Sequence, residues 1–198
     1  MITIIDYGMA NLGSVNKAFE AVGAETRICD SPEEISDADH LVLPGVGAFG
    51  DAMRNIRERG IDEAMLEAID NGAAFLGICL GLQALFTESE ELGIHRGLGI
   101  FAGRVRRFTE GLVPQIGWNK VHILRDNPIM AGIPDHSYFY FVHSYYVDPV
   151  DRENVITETD YYIDYASIAG RDRIWGIQFH PEKSQEMGLR ILGNFARI

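Results

Sequence analysis

The chain has 198 residues, a length typical of one compact α/β or β unit with a sizeable core. Apolar residues make up 46% of it and charged residues 23%, which excludes a disordered or fibrous protein. The 29 acidic and 17 basic residues leave a net charge of −12, so nucleic acids and anionic membrane surfaces are poor candidates for the main partner.

No apolar stretch approaches the length of a membrane span, and the N-terminus lacks the features of a signal peptide. These observations predict a soluble, cytoplasmic protein. The two cysteines, Cys29 and Cys79, form no CxxC pair and have no histidine spacing that would complete a zinc site. We therefore expect two free thiols and neither a metal nor a cofactor.

The first 80 residues alternate short apolar runs with helical patterns. Asn11 is a candidate N-cap and Gly23 a candidate stop for the first helix, and Ser31 opens a capping box for the second. The strands are predicted at 3–5, 25–29, 40–43 and 73–78, and the helices at 11–23, from 31 onward, and at 61–69. This alternation predicts a flavodoxin-like, mostly parallel central sheet flanked by helices.

The pattern changes after Gly99, where strand-like runs follow one another before a terminal helix at 185–197. The predicted strands cover 100–108, 118–124, 137–142, 155–159, 165–169 and 174–179. We interpret them as an antiparallel, β-rich part added to the parallel core. With no linker, repeat or low-complexity run, residues 1–198 are predicted to form a single domain.

The segment Gly77-Ile78-Cys79-Leu80-Gly81 follows a buried strand and leads into a helix. Glycines two residues on either side of a nucleophile allow a sharp strand-to-helix turn that presents it at the carboxyl edge of the sheet. A helix N-terminus favours the thiolate, and the Leu80 N–H is placed to stabilise an oxyanion. The alternative is a small buried cysteine in a tight turn.

Strand 174–179 delivers His180 to the same sheet edge. Pro181 favours an extended backbone at His180, and Glu182 is close enough to fix the tautomer of the imidazole. Of the six histidines, this one therefore has the neighbours expected of a catalytic base.

These two motifs resemble those of the triad-type, class I glutamine amidotransferases. The narrower likeness is to the glutaminase subunits of imidazole glycerol phosphate synthases, and it covers nearly the whole chain. Besides the two motifs, it is carried by the segments 5–11, 43–49, 114–119, 138–146 and 180–184.

The resemblance implies that Cys79 displaces ammonia from L-glutamine through a thioester, with His180 as the base and Glu182 as its orienting carboxylate. It places the second oxyanion donor in the loop containing Gly45 and Val46, most directly the Val46 N–H. Further roles implied by the resemblance are glutamine binding for Gln83, Glu91, Ser144 and Tyr145, and partner contact for Asn11, Trp118, Tyr140 and Lys183.

The implied partner is a (β/α)8-barrel cyclase subunit in a heterodimer, which uses the ammonia to make imidazole glycerol phosphate and an aminoimidazole carboxamide nucleotide for histidine biosynthesis. The chain itself has no phosphate-binding loop, dinucleotide fingerprint or metal cluster to activate an acceptor. Two positions depart from the family pattern at partner-facing segments. Gln115 stands where histidine is usual, and Ala10 where glycine is common.

Three other functions are weighed against this one. A paralogous glutaminase would serve a different synthase, such as a surface-sugar amidinating enzyme. A peptidase or deglycase would be a cysteine hydrolase on the same fold. A binding or regulatory module would have a degenerate site, which the intact Cys79, His180 and Glu182 argue against.

Overall fold

The architecture follows from the alternation of buried strands with amphipathic helices in the first half of the chain. A computed structural model describes all 198 residues. In the first half the elements are β1 (Ile2–Ile5), α1 (Leu12–Ala21), β2 (Thr26–Cys29), α2 (Pro32–Ser36), β3 (His40–Gly45), α3 (Phe49–Glu58), α4 (Ile61–Asp70), β4 (Ala74–Cys79), α5 (Leu80–Ala84), β5 (Phe86–Ser89) and β6 (His95–Arg96).

The second half is dominated by strands. Its elements are β7 (Phe101–Arg107), β8 (Gln115–Ile123), β9 (Ser137–His143), β10 (Tyr145–Pro149), β11 (Val155–Asp160), β12 (Asp164–Arg171), β13 (Ile174–Ile177) and α6 (Gln185–Phe195). None of the helices is long and apolar enough to cross a membrane.

Five parallel strands form the centre of the sheet, in the order β2-β1-β3-β4-β13. This is the strand order of flavodoxin-like folds, in which ligands bind beyond the carboxyl ends of the strands. The antiparallel strands β12, β10 and β7 extend the sheet on one side, and β11, β8 and β9 branch from β12. The predicted parallel core with an antiparallel addition is confirmed.

Helices cover both faces of the parallel strands. The first face packs against α2, α3 and α4, whose buried side chains include Ile35, Ile56 and Met65. The second face packs against α1 and α6, through Phe19 and Phe195 among others. Burial on both faces explains why the parallel strands are continuous apolar runs instead of alternating ones.

Several elements were absent from the sequence prediction. Helix α3 carries its own signal, since Phe49, Ala52, Met53 and Ile56 form one buried stripe at helical spacing. Strands β5, β6 and β10 are too short to show a clear periodic pattern of their own. The helix predicted after Cys79 is present but short, since it ends at Ala84 and β5 begins at Phe86.

Candidate active site

Cys79 lies at the sharp turn from β4 into α5. Its backbone has φ 55° and ψ −103°, in a region that residues with a Cβ rarely adopt. The flanking glycines are required by close backbone approach, because a Cβ at Gly77 would overlap the Gly81 carbonyl and a Cβ at Gly81 would overlap the Leu43 carbonyl. The turn thus holds the thiol at the carboxyl edge of the sheet.

His180 reaches the same edge from the neighbouring strand. Strands β4 and β13 run parallel with Ile78 opposite Ile177, which sets His180 a few residues beyond the end of its strand. The backbone there is extended, as Pro181 predicts. The His180 Nδ1–H donates to Glu182 Oε1 over 2.8 Å, and the two side chains are only 4% and 2% exposed. Its Nε2 is buried and makes no hydrogen bond within the protein.

A cavity of about 320 Å³ lies between these elements. Nine of the residues singled out from the sequence line it: Val46, Cys79, Leu80, Gln83, Glu91, Ser144, Tyr145, His180 and Lys183. Glu182 lies behind His180, and Gly45 lies beside Cys79 in the register of β3 with β4. The volume of the cavity suits a small amino acid rather than a polymer.

A second histidine lines the same cavity, but both of its nitrogens are occupied. The His143 Nδ1–H donates to the Tyr145 carbonyl over 2.7 Å, and Nε2 lies 3.2 Å from the Tyr165 hydroxyl. Burial lowers the pKa of His143 to about 4, so the ring is neutral. His180, with a free Nε2, is therefore the histidine placed to exchange a proton with Cys79 or a substrate.

The family model for class-I glutamine amidotransferases matches residues 3–198. The chain belongs to the class-I glutamine amidotransferases. It is 51% identical over 203 residues to the imidazole glycerol phosphate synthase subunit HisH of Syntrophotalea carbinolica, with 98% of each chain covered. It is 48% identical over 201 residues to the protein of the same name from Chlorobaculum tepidum, with both chains fully covered.

Solved structures share the fold of this amidotransferase at much lower identity. A crystal structure of a glutamine amidotransferase superposes with a TM-score of 0.79 at 17% identity and covers 100% of both chains. The structure of PurLQS from Thermotoga maritima superposes with a TM-score of 0.80 at 17% identity, covering 99% of this chain and 97% of that one.

The charge state of His180 is set by opposing effects. Burial disfavours the imidazolium and lowers its pKa, but interaction with the neighbouring Cys79, together with the hydrogen bond and the charge of Glu182, outweighs the burial. The net result raises the pKa from its usual 6.5 to about 10. At neutral pH the amidotransferase site therefore favours an imidazolium between the sulfur and the carboxylate.

Replacing Glu182 with glutamine is expected to lower the free energy of unfolding by roughly 2 kcal/mol, because it removes a charged hydrogen bond. Because the pKa of His180 is raised in the folded state, the charged ring contributes its full stabilisation of the fold below about pH 6.5. That stabilisation is lost as the pH rises through about 10. The deficit of Glu182→Gln should therefore be largest in mild acid and shrink at alkaline pH. Urea denaturation across this pH range measures it.

The matched control for this experiment is Glu186→Gln, which removes an exposed carboxylate paired with Arg190. Its effect should be small and nearly independent of pH. A Glu182→Gln deficit that stays constant from acid to alkaline pH would contradict the proposed coupling to His180.

The two predicted oxyanion donors differ in their geometry. Leu80 is the first residue of α5, so its N–H has no acceptor within the helix. The Val46 N–H instead donates to the Met9 carbonyl over 3.3 Å. Val46 lines the cavity, but in this conformation its N–H is engaged with Met9, so its role as the second oxyanion donor stays a prediction.

The expected glutamine-binding positions are linked to each other and to the nucleophile. The Gln83 Nε2 amide donates to the Tyr145 carbonyl over 3.1 Å and lies 3.3 Å from Gln178 Oε1. Glu91 Oε2 accepts the Phe49 N–H over 2.7 Å, which ties it to the start of α3. Gln83, Glu91, Ser144 and Tyr145 all line the cavity.

Gln178 was not singled out from the sequence. It is fully buried, and its Nε2 amide donates to Cys79 Sγ over 3.7 Å while its Oε1 accepts from Gln83. The signal that could have found it is its position two residues before His180, since alternate residues of an extended segment share a face.

The four expected partner positions differ in exposure, and of the four Lys183 alone lines the cavity. Trp118 on β8 is 46% exposed and packs edge to face against Tyr140 on β9, with ring centroids 6.1 Å apart. Lys183 is exposed at the cavity rim. Asn11 is exposed and occupies the N-cap position of α1, as predicted, but its side chain makes no capping hydrogen bond.

The two departures from the family pattern are not exposed contact points. Gln115 is 3% exposed, and its Oε1 accepts the Tyr165 hydroxyl over 3.0 Å. Ala10 is half-buried and packs against the core cluster of α3 and α4. The Gln115 side chain therefore points into the core and presents no exposed group to a partner.

Proposed function

We propose that this amidotransferase is the glutaminase subunit of an imidazole glycerol phosphate synthase. It hydrolyses L-glutamine to glutamate and ammonia and passes the ammonia to a (β/α)8-barrel cyclase subunit. Two observations support the proposal. Relatives 51% and 48% identical over nearly their whole length carry the name of this subunit, and the cavity holds a cysteine beside a histidine–carboxylate pair.

The reaction begins when the Cys79 thiol proton passes to His180 Nε2 and the sulfur attacks the carboxamide carbon of glutamine. The Leu80 N–H donates a hydrogen bond to the developing oxyanion. The His180 imidazolium then transfers its Nε2 proton to the amide nitrogen of the substrate as the C–N bond breaks. Ammonia leaves and a glutamyl thioester remains. His180, now neutral, takes a proton from water, the resulting hydroxide attacks the thioester, and glutamate and the thiolate form.

Glu182 acts through His180 and holds its ring so that Nε2 faces the cavity. The observation that carries the proposal is the free Nε2 of His180 on the same cavity as Cys79, in a turn strained to present the thiol. Ammonia in neutral water is mostly protonated and no longer nucleophilic. A glutaminase with no acceptor site of its own therefore requires a docked synthase.

The isolated chain is expected to hydrolyse glutamine slowly. With the Val46 N–H donating to Met9, the oxyanion has one backbone donor, and loss of one donor costs about 10²–10³-fold in turnover. Glutamate release should rise by that factor when the cyclase and its substrate are added. Full turnover by the chain alone would contradict this prediction.

The acceptor is identified by the products of the reconstituted complex. The chain is mixed with glutamine, the barrel subunit encoded beside it and the phosphorylated ribulosyl substrate. Imidazole glycerol phosphate should form in step with glutamate. Glutamate release without transfer to this acceptor would favour a glutaminase for another synthase. Absence of both, together with no labelling of Cys79 by a glutamine-derived diazoketone, would favour a different cysteine hydrolase.

A further inference from the structure

A cluster of three potential metal ligands lies outside the candidate active site, where β8 ends and β9 begins. His122 is near the carboxyl end of β8, and Asp135 and His136 lie in the segment that precedes β9. All three side chains are exposed, and their ligand atoms lie within 4.8 Å of one another. The glutaminase chemistry uses none of them.

Two of the three separations between ligand atoms in the cluster are close to those of a tetrahedral metal site. His122 Nδ1 lies 3.1 Å and His136 Nε2 lies 3.5 Å from the same oxygen, Asp135 Oδ2. Nitrogen and oxygen ligands about 2.0–2.1 Å from a tetrahedral zinc ion are separated by roughly 3.3 Å. One ion could therefore bind all three atoms with small side-chain adjustments.

Backbone hydrogen bonds hold the Asp135 carboxylate in place beside the two imidazoles. Asp135 Oδ1 accepts the Ile123 N–H over 2.7 Å and the His136 N–H over 2.9 Å. These two bonds fix the carboxylate plane and leave Oδ2 turned toward the imidazoles. Hydrogen bonding of a ligating carboxylate by neighbouring groups is usual in protein metal sites.

The second histidine is held in an unusual conformation. His136 has φ 60°, in the left-handed region, and its ring stacks on His122 with centroids 5.0 Å apart and planes 14° apart. Left-handed backbone at a non-glycine residue costs free energy and is enriched at functional positions.

The surroundings favour a cation. A polar depression beside the two histidines is lined by Glu158, Asp160 and Asp164, with Lys120 as its cationic member and no apolar side chain. Two imidazoles and one carboxylate are ligands that zinc and similar transition metals prefer, whereas magnesium and calcium take oxygen ligands.

We propose that His122, Asp135 and His136 bind one Zn²⁺ ion, with water as the fourth ligand. The ion would join the end of β8 to the start of β9, just beyond the last pair of their ladder, Val121 with Ser137. The inference does not depend on the proposed glutaminase function, because no residue of the active-site cavity takes part in it.

Zinc titration calorimetry tests the proposal, and it is performed in a Cys79→Ala background so that the active-site thiol cannot compete for the metal. One equivalent of Zn²⁺ should bind. Asp135→Asn retains the acceptor for the two backbone bonds, and His136→Asn tolerates the left-handed conformation, so both variants should fold. Each should weaken zinc binding at least 10-fold, a loss typical of removing a ligand or its support.

The matched control is His95→Gln, which removes a histidine outside the cluster and should leave the zinc affinity unchanged. Cobalt substitution gives a second measurement, since a tetrahedral site produces visible absorption that the two cluster variants should lose. Zinc binding of equal affinity in all variants, or no zinc binding by the parent at millimolar metal, would overturn the proposal.

Discussion

Cys79→Ala is expected to abolish glutamine hydrolysis, with a loss of at least about 10⁴-fold in turnover, because no other group in the cavity can form the thioester. The measurement is glutamate release by the purified variant in the presence of the cyclase and its ligand. The stability of the variant should remain close to that of the parent, since alanine replaces a small side chain at a position that is already strained.

The second thiol supplies the control for this experiment. Cys29 is buried at the end of β2, where its sulfur contacts the Ser31 carbonyl, and it does not line the active-site cavity. Cys29→Ala should leave glutamine turnover unchanged. If Cys79→Ala released glutamate at the parent rate, the proposed mechanism would be wrong.

Gly81→Ala is expected to destabilise the fold by more than about 3 kcal/mol, at the upper end of the cost of overpacking a core. The added methyl group would overlap the Leu43 carbonyl, a backbone atom in the centre of the parallel sheet that cannot move aside. Chemical denaturation measures the loss, and low soluble yield would be its first sign.

Gly13→Ala is the matched control, because Gly13 is exposed within α1 and a Cβ there meets nothing within 4 Å. Alanine is the better helix former, so this variant should be more stable than the parent by roughly 0.5–1 kcal/mol. A Gly81→Ala variant as stable as the parent would mean that the turn tolerates separation of β3 from α5, contrary to the close packing described.

The features that were predictable from the sequence depend on local pattern. Continuous apolar runs identified the buried parallel strands, and glycines around Cys79 identified the turn, because both follow from burial and backbone sterics within a few residues. The placement of His180 at the same sheet edge as Cys79 was also predictable, since the carboxyl ends of parallel strands meet at one edge of the sheet.

The remaining features depend on tertiary contacts that no local pattern encodes. The orientation of a single peptide group determines whether the Val46 N–H faces the cavity or the Met9 carbonyl. The local sequence is the same in both cases and does not encode the choice. Burial of Gln115 and its contact with Tyr165 join strands that are 50 residues apart. The short strands β5, β6 and β10 owe their pairing to neighbours instead of their own periodicity.

The backbone of Tyr140 connects the protein surface to the catalytic histidine. Its carbonyl accepts the His180 N–H over 2.9 Å, and its N–H donates over 2.9 Å to Ser184 Oγ, which in turn donates over 2.7 Å to the His180 carbonyl. The Tyr140 ring meanwhile lies against the half-exposed Trp118. The surface at Trp118 is therefore joined to the backbone of His180 by one ring contact and three hydrogen bonds, whereas Cys79 ends a different strand, β4.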